Sequence, residues 1–136
     1  MPLKPIKTKD RLNNIIMNPR AASEYAIKIL KKRWPNAENV IMKDPLSAYN
    51  YANKVLKKKR WPEAEPYIMK DPNLANLYAL KILKRRWPEA EQFIMKDSEQ
   101  AYFYAYYILK KKWPEAEPYI MKDHYWGKKY VNDFKK

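Results

Sequence analysis

The side chains available for chemistry in this chain are carboxylates, lysines, arginines and tyrosines, because it contains no cysteine, one histidine and one glycine. Glu63 and Glu65, or Glu115 and Glu117, come nearest to a paired-carboxylate site. Two residues apart on a helix they point in different directions, whereas acid–base work across one bond needs them to converge. Asp123 and His124 are an adjacent acid–imidazole pair with no nucleophile placed beside them; Thr8, Ser23, Ser47 and Ser98 are the whole complement of serine and threonine. A lone Gly127 excludes a phosphate-cradling loop, a dinucleotide fingerprint and a strained nucleophile elbow. The expectation is a non-enzymatic protein with no catalytic residue, no metal and no cofactor.

What remains is charge. Lys and Arg number 29 against 15 Asp and Glu, a net charge of +14. Thirteen of these cations stand in four runs directly before tryptophan: Lys31, Lys32, Arg33; Lys57, Lys58, Lys59, Arg60; Lys84, Arg85, Arg86; and Lys110, Lys111, Lys112. Such a balance favours an acidic partner, whether nucleic acid, acidic protein or nucleoprotein. The plainer reading is that cations are favoured at helix C-termini for dipole reasons, with the glutamates after each Trp-Pro neutralising part of the ridge.

The elements that must position these runs are internal repeats. WPEAEPYIMKD stands at 61–71 and again at 113–123, with the near-copies WPNAENVIMKD from Trp34 and WPEAEQFIMKD from Trp87. Tyr25, Tyr51, Tyr78, Tyr104 and Tyr130 recur every 26, 27, 26 and 26 residues, the extra residue lying in the run Lys57 to Arg60. Each repeat reads as two helices. The first begins at Asn18-Pro19, Asp44-Pro45, Asp71-Pro72, Asp97-Ser98 or Asp123-His124, where the Asx side chain caps free amides and a proline at the first position costs nothing. Its apolar stripe falls at i, i+3, i+4, i+7 and i+8, as in Ala101, Tyr104, Ala105, Ile108 and Leu109. The second helix starts at Trp-Pro and turns Trp61, Ala64 and Ile68, and their counterparts, inward. Its glutamates read as charges complementing the helix dipole. Pro66 and Pro118 remove a hydrogen bond in the second turn, predicting a distorted or 3₁₀ start in those two copies.

Helix pairs of this length cannot each bury an apolar surface alone and must stack. The expected fold is all-α, a short α-solenoid of ~26-residue helical hairpins with a half-repeat at each end. A basic flexible arm is expected over residues 1–9 and a single helical-repeat domain over 10–136, with repeats near 19–43, 44–70, 71–96 and 97–122 and a capping helix over 123–136. Stacking would align the four basic runs into one ridge with steps of ~10 Å. Opposite the stripe, Leu77, Leu80, Phe103, Tyr106 and Tyr107 make the third and fourth copies apolar, where the equivalent positions carry Glu24, Ile27 and Lys28 in the first copy and Asn50, Asn53 and Lys54 in the second. An exposed patch of this kind marks a protein interface, a dimer contact, or a face buried by tight curvature.

The motif RWPEAE at 60–65 and 86–91, with its preceding Tyr-Ala pair, resembles short α-helical repeats with a consensus near Y-A-x-x-V-(L/I)-x-x-R-W-P-E-A-E-P-x-I found in proteins of tailed bacteriophages. The resemblance covers nearly all of residues 19–123 and implies a phage origin and a helical-repeat fold, without an active site or a ligand. It also implies a host-directed interaction protein inhibiting a host defence or gene-expression complex. The chain departs from that pattern in carrying lysine before the tryptophan where the family more often has glycine. The functional expectation is an interaction protein for an acidic macromolecule, protein or nucleoprotein, with direct nucleic-acid binding through the Lys/Arg ridge as the alternative. The start MPLKPIKTKD has no apolar run, and nowhere do eighteen apolar residues stand together, so a soluble cytoplasmic protein without membrane partner is expected, in the host cytoplasm if phage-encoded.

Overall fold

The structure is a computed structural model that describes residues 9–135. The arm expected over residues 1–9 lies outside the described residues except for Lys9, which opens the first helix. The chain is an all-α helical-repeat protein, and no strand occurs among the described residues. Its helices group into two compact units, one ending at Ile68 and the other beginning at Met69.

The first unit contains α1 (Lys9–Ile16), α2 (Pro19–Tyr25) running into a π-helical turn (Ala26–Leu30), α3 (Pro35–Ile41), α4 (Pro45–Lys54) and the short α5 (Glu65–Ile68). The second contains α6 (Pro72–Tyr78) with its π-helical turn (Ala79–Leu83), α7 (Pro88–Ile94), and α8 (Ser98–Phe103) with a π-helical turn (Tyr104–Leu109). A 3₁₀ turn (Pro114–Ala116), α9 (Glu117–Ile120) and α10 (His124–Asp133) complete it. Helix starts follow the Asx caps. Asn18 accepts from the amides of Arg20 and Ala21 at 3.0 and 3.1 Å, and Asp97 from Gln100 at 3.0 Å. Asp44, Asp71 and Asp123 do the same for Ser47, Leu74 and Trp126. Each cap contributes ~1 kcal/mol.

The ends of the first helices were not foreseen. In three copies the ladder shifts to an i→i+5 step, as where the Lys31 amide reaches the Ala26 carbonyl at 2.7 Å and Lys110 reaches Ala105 at 2.7 Å. A lysine in the left-handed region then turns the chain: Lys31, Lys84 and Lys110 at φ 54°, 56° and 57°. The second copy absorbs its extra residue with two such lysines, Lys57 and Lys58 at φ 56° and 65°. The following tryptophan precedes proline, which forces it out of the α region, so Trp34, Trp87 and Trp113 sit at ψ 78°, 80° and 82°.

The Ala-Tyr-Ala part of each stripe is fully packed, and so are Ala37, Ala64, Ala90 and Ala116 with Ile41, Ile68, Ile94 and Ile120. Trp61, Trp87 and Trp113 are buried, while Trp34 is half-buried. The stripe weakens toward its end: Val55 and Ile82 are buried, but Ile29, Ile108 and the leucines Leu30, Leu56, Leu83 and Leu109 are only half-buried. The wider hydrogen-bond step falls there and carries side chains off the line of the stripe. Copies with an inner proline start irregularly as expected. α5 is preceded by turns closed by Glu65 to Pro62 at 3.2 Å, and α9 by the 3₁₀ turn, whereas α3 and α7 run from their first proline. Gly127 replaces the alanine of the other copies where a Cβ would stand 3.2 Å from Met121 Cα, so α10 approaches α9 more closely than an alanine allows comfortably.

Within each unit, adjacent first helices meet along a seam whose contacts change from place to place. Ser23 Oγ donates to the Ser47 carbonyl at 3.2 Å. Asn76 Nδ2 donates to the Gln100 carbonyl and to its Oε1 at 2.9 and 3.0 Å. Tyr102 instead packs its ring on Trp126 with centroids 5.4 Å apart.

Candidate functional site

The basic runs sit at corners where a first helix ends and a second begins, so the packing of those corners decides which cations are free. Four of the five repeat tyrosines stack on their own tryptophan: Tyr25 on Trp34 with centroids 5.2 Å apart, and Tyr51 on Trp61, Tyr78 on Trp87 and Tyr104 on Trp113, all at 4.9 Å. The phenol of Tyr51 then reaches the preceding repeat, accepting from the Trp34 amide at 2.7 Å and donating to Glu38 at 2.6 Å. Tyr104 repeats this with Trp87 at 2.8 Å and Glu91 at 2.6 Å, and Tyr130 with Trp113 at 2.8 Å and Glu117 at 2.7 Å. One side chain thus rivets two repeats by its ring and its hydroxyl. Burial, and then the bond to glutamate, push the Tyr51 and Tyr104 phenols well above their usual range, and push Tyr130 up to about 12.

Arginine closes this rivet. Arg33 grips Glu38 with two hydrogen bonds at 3.0 and 2.8 Å, Arg60 grips Glu65 at 3.0 and 2.8 Å, and Arg86 grips Glu91 at 3.0 and 2.8 Å. Burial works to raise the Glu38 carboxyl, but the bonds from Arg33 and Tyr51 outweigh it and hold the group below its ordinary range. The glutamates neutralise part of the ridge as expected, and the geometry adds two details. Glu38, Glu91 and Glu117 also accept from a tyrosine of the following copy, beyond any role as dipole charges, and Arg33, Arg60 and Arg86 each spend their fork on a glutamate while staying about half exposed. A signal existed for the first: glutamate stands third after the proline in all four copies, while the position two residues earlier is Asn36 in one of them.

The remaining ridge residues are Lys31, Lys32, Lys57, Lys58 and Lys59 in the first unit and Lys84, Arg85, Lys110, Lys111 and Lys112 in the second. All are exposed, and none forms an ion pair among the described residues. Left-handed φ costs a side-chain-bearing residue ~1–2 kcal/mol. Five lysines accept that cost at these corners. Neighbouring runs come together within each unit: Arg33, Lys57, Lys59 and Arg60 line one hollow, and Lys84, Arg85 and Lys110 another of about 180 Å³ walled by Ala79, Leu80, Tyr107 and Ile108.

The outer-face patch lies wholly in the second unit. Leu80, Tyr106 and Tyr107 are exposed at 39%, 45% and 52%. Leu77 and Phe103 are half-buried, which corrects the expectation of an open patch at those two positions. Phe103 is held edge-on by Trp126 at 5.2 Å and by Tyr102 at 5.5 Å, with Tyr107 at 6.0 Å. Tyr102 also donates to Asp133, which joins α8 to α10. Leu77, Leu80, Phe103 and Tyr107, with Asn73, Asn76 and Gln100, line a groove of about 320 Å³ between adjacent first helices. Trp126 and Tyr102 were missed as supports of this patch because the contact spans two copies.

Among the described residues no group of His, Asp and Glu is arranged to hold a metal, and no helix is long and apolar enough to cross a membrane. No known protein family, curated protein or solved structure matches the chain.

Proposed function

We propose that this chain is a non-enzymatic binding protein for an acidic macromolecular partner, protein or nucleoprotein, held through the lysine corners at the ends of the first helices. The observation that supports it most is the division of labour within three of the basic runs: the last arginine is paired with a glutamate, while the lysines beside it stay exposed and outside any ion pair among the described residues. Dipole complementarity alone calls for cations near the helix end, but not for cations at left-handed positions that glycine fills more easily. Free lysines clustered on one kind of corner raise the local potential and steer an acidic surface toward it.

The test is capture from cell lysate by the immobilised chain, with and without nuclease, beside a variant carrying Lys57, Lys58 and Lys59→Gln. A specific partner that survives nuclease, elutes with salt and is lost by the variant supports the reading; unchanged capture by the variant overturns it. Direct nucleic-acid binding is the second reading. It is favoured by the first unit, where Arg33, Lys57, Lys59 and Arg60 line one hollow and no aromatic residue is exposed among the described residues, as backbone rather than base contacts would require. Capture abolished by nuclease, with a log–log salt slope reduced by ~0.7–0.9 for each phosphate contact removed, would select it.

A further inference from the structure

Resting on the lysine-corner reading, we infer that the apolar groove and the cationic hollow of the second unit form one continuous site for an acidic peptide segment bearing an aliphatic or aromatic side chain. The two cavities share walls: Leu80 and Tyr107 line both. At one end stand Lys84, Arg85 and Lys110. The two lysines are unpaired among the described residues, and the Arg85 guanidinium donates to the Arg86 carbonyl at 3.0 Å, with no carboxylate partner. At the other end Leu77 and Phe103 provide the apolar lining.

The buried amide of the groove floor needs no donor contact from a ligand, because Asn76 donates both to the Gln100 carbonyl and to its side chain. The chemistry is therefore directional. Carboxylates belong at the lysine end, and an apolar side chain belongs between the leucines and the rings. A nucleic acid matches the charge but leaves the leucines without an apolar partner. The second copy carries Asn50 and Asn53 where Leu77 and Leu80 stand, so the apolar half of the site is particular to the later copies.

Fluorescence anisotropy of the full chain with three labelled probes tests the assignment: a short peptide of Glu, Leu and Phe, a peptide of equal length and charge made of Glu and Ser, and a thymidine oligonucleotide. The apolar acidic peptide should bind ~10-fold or more tightly than the Glu/Ser peptide. Leu77→Asn with Leu80→Asn, which copies the second repeat, should erase that preference. Lys84→Gly with Lys110→Gly should weaken both peptides by ~10-fold or more. Glycine is at ease at φ 56° and 57°, so a melting temperature at or above the parent's excludes unfolding as the cause. Equal binding of the two peptides, or a preference that survives the leucine replacements, overturns the groove while leaving the lysine corners standing. Peptide affinities untouched by the lysine replacements, or no peptide binding, overturn both, and tighter binding of the oligonucleotide than of either peptide selects nucleic acid instead.

Discussion

Tyr104 and Tyr130 make the same two hydrogen bonds, one accepted from a tryptophan amide and one donated to a glutamate, but only the first glutamate is also gripped by arginine. Where Arg86 stands in one copy, Lys112 stands in the other, exposed and outside any ion pair among the described residues. Both phenols are nonetheless buried and in place. The comparison separates what the repeat requires, a phenol between two copies, from what it only prefers, a guanidinium brace. It also explains how a basic run can serve the scaffold at one residue and remain free for a partner at its neighbours.

The harshest way to break the shared part is to remove the ring on which it leans. Trp87→Ala should lower stability by ~3–5 kcal/mol, read from denaturant melts, because Trp87 is 1% exposed and supports Tyr78. Next comes the hydroxyl alone: Tyr104→Phe leaves the buried Trp87 amide without an acceptor and should cost ~1–3 kcal/mol. The same hydroxyls predict an alkaline limit. The Tyr130 phenol is raised by burial and by Glu117 to about 12, against ~10 in an unfolded chain. Its contribution is fully present below the unfolded value and is lost as pH rises through the folded one, so stability should fall across that interval, with phenolate absorbance appearing in step. On the acid side Glu38 is depressed, so its contribution is present above the ordinary carboxylate range and is lost as pH drops through its folded value.

The brace should matter less. Lys112→Arg, which offers Glu117 the fork that Glu91 already has, should raise stability by a few tenths to ~1 kcal/mol, since the equivalent arginine is half-exposed to solvent. A gain as large as the loss from Tyr104→Phe would mean that the brace is as central as the phenol. The smallest effect belongs to the corner itself. Lys84→Gly relieves left-handed strain but adds freedom to the unfolded chain, leaving a net gain of ~0.5 kcal/mol.

The local features were legible because their causes are local. An Asx cap, a proline at the first helical position, an inner proline and a Trp-Ala-Ile spacing each act within a turn or two, and each is found where its residues stand. The π-helical turns were not legible, because they end on lysines where glycine would have announced a left-handed residue. Nor was the rivet, since Trp87 and Tyr104 are 17 residues apart and meet only when two copies stack. The candidate site divides in the same way. The basic runs could be read as runs, but the sorting of arginine from lysine depends on a carboxylate presented by the next helix. The half-burial of Phe103 depends on Trp126 arriving from the copy after it.

The changing seam has a consequence for how such an array can grow or be rearranged. If every junction were alike, any copy could stand beside any other, and mispaired or swapped neighbours would be as stable as correct ones. Here Ser23 seeks the Ser47 carbonyl, Asn76 seeks Gln100, and Tyr102 seeks Trp126. Transposing copies within the second unit would set the Asn76 amide against an indole face and strand a buried donor at ~1–3 kcal/mol. Within each unit the rivets make neighbouring copies stick, while the seam tells one neighbour from another, so the order of copies inside a unit is written into the protein.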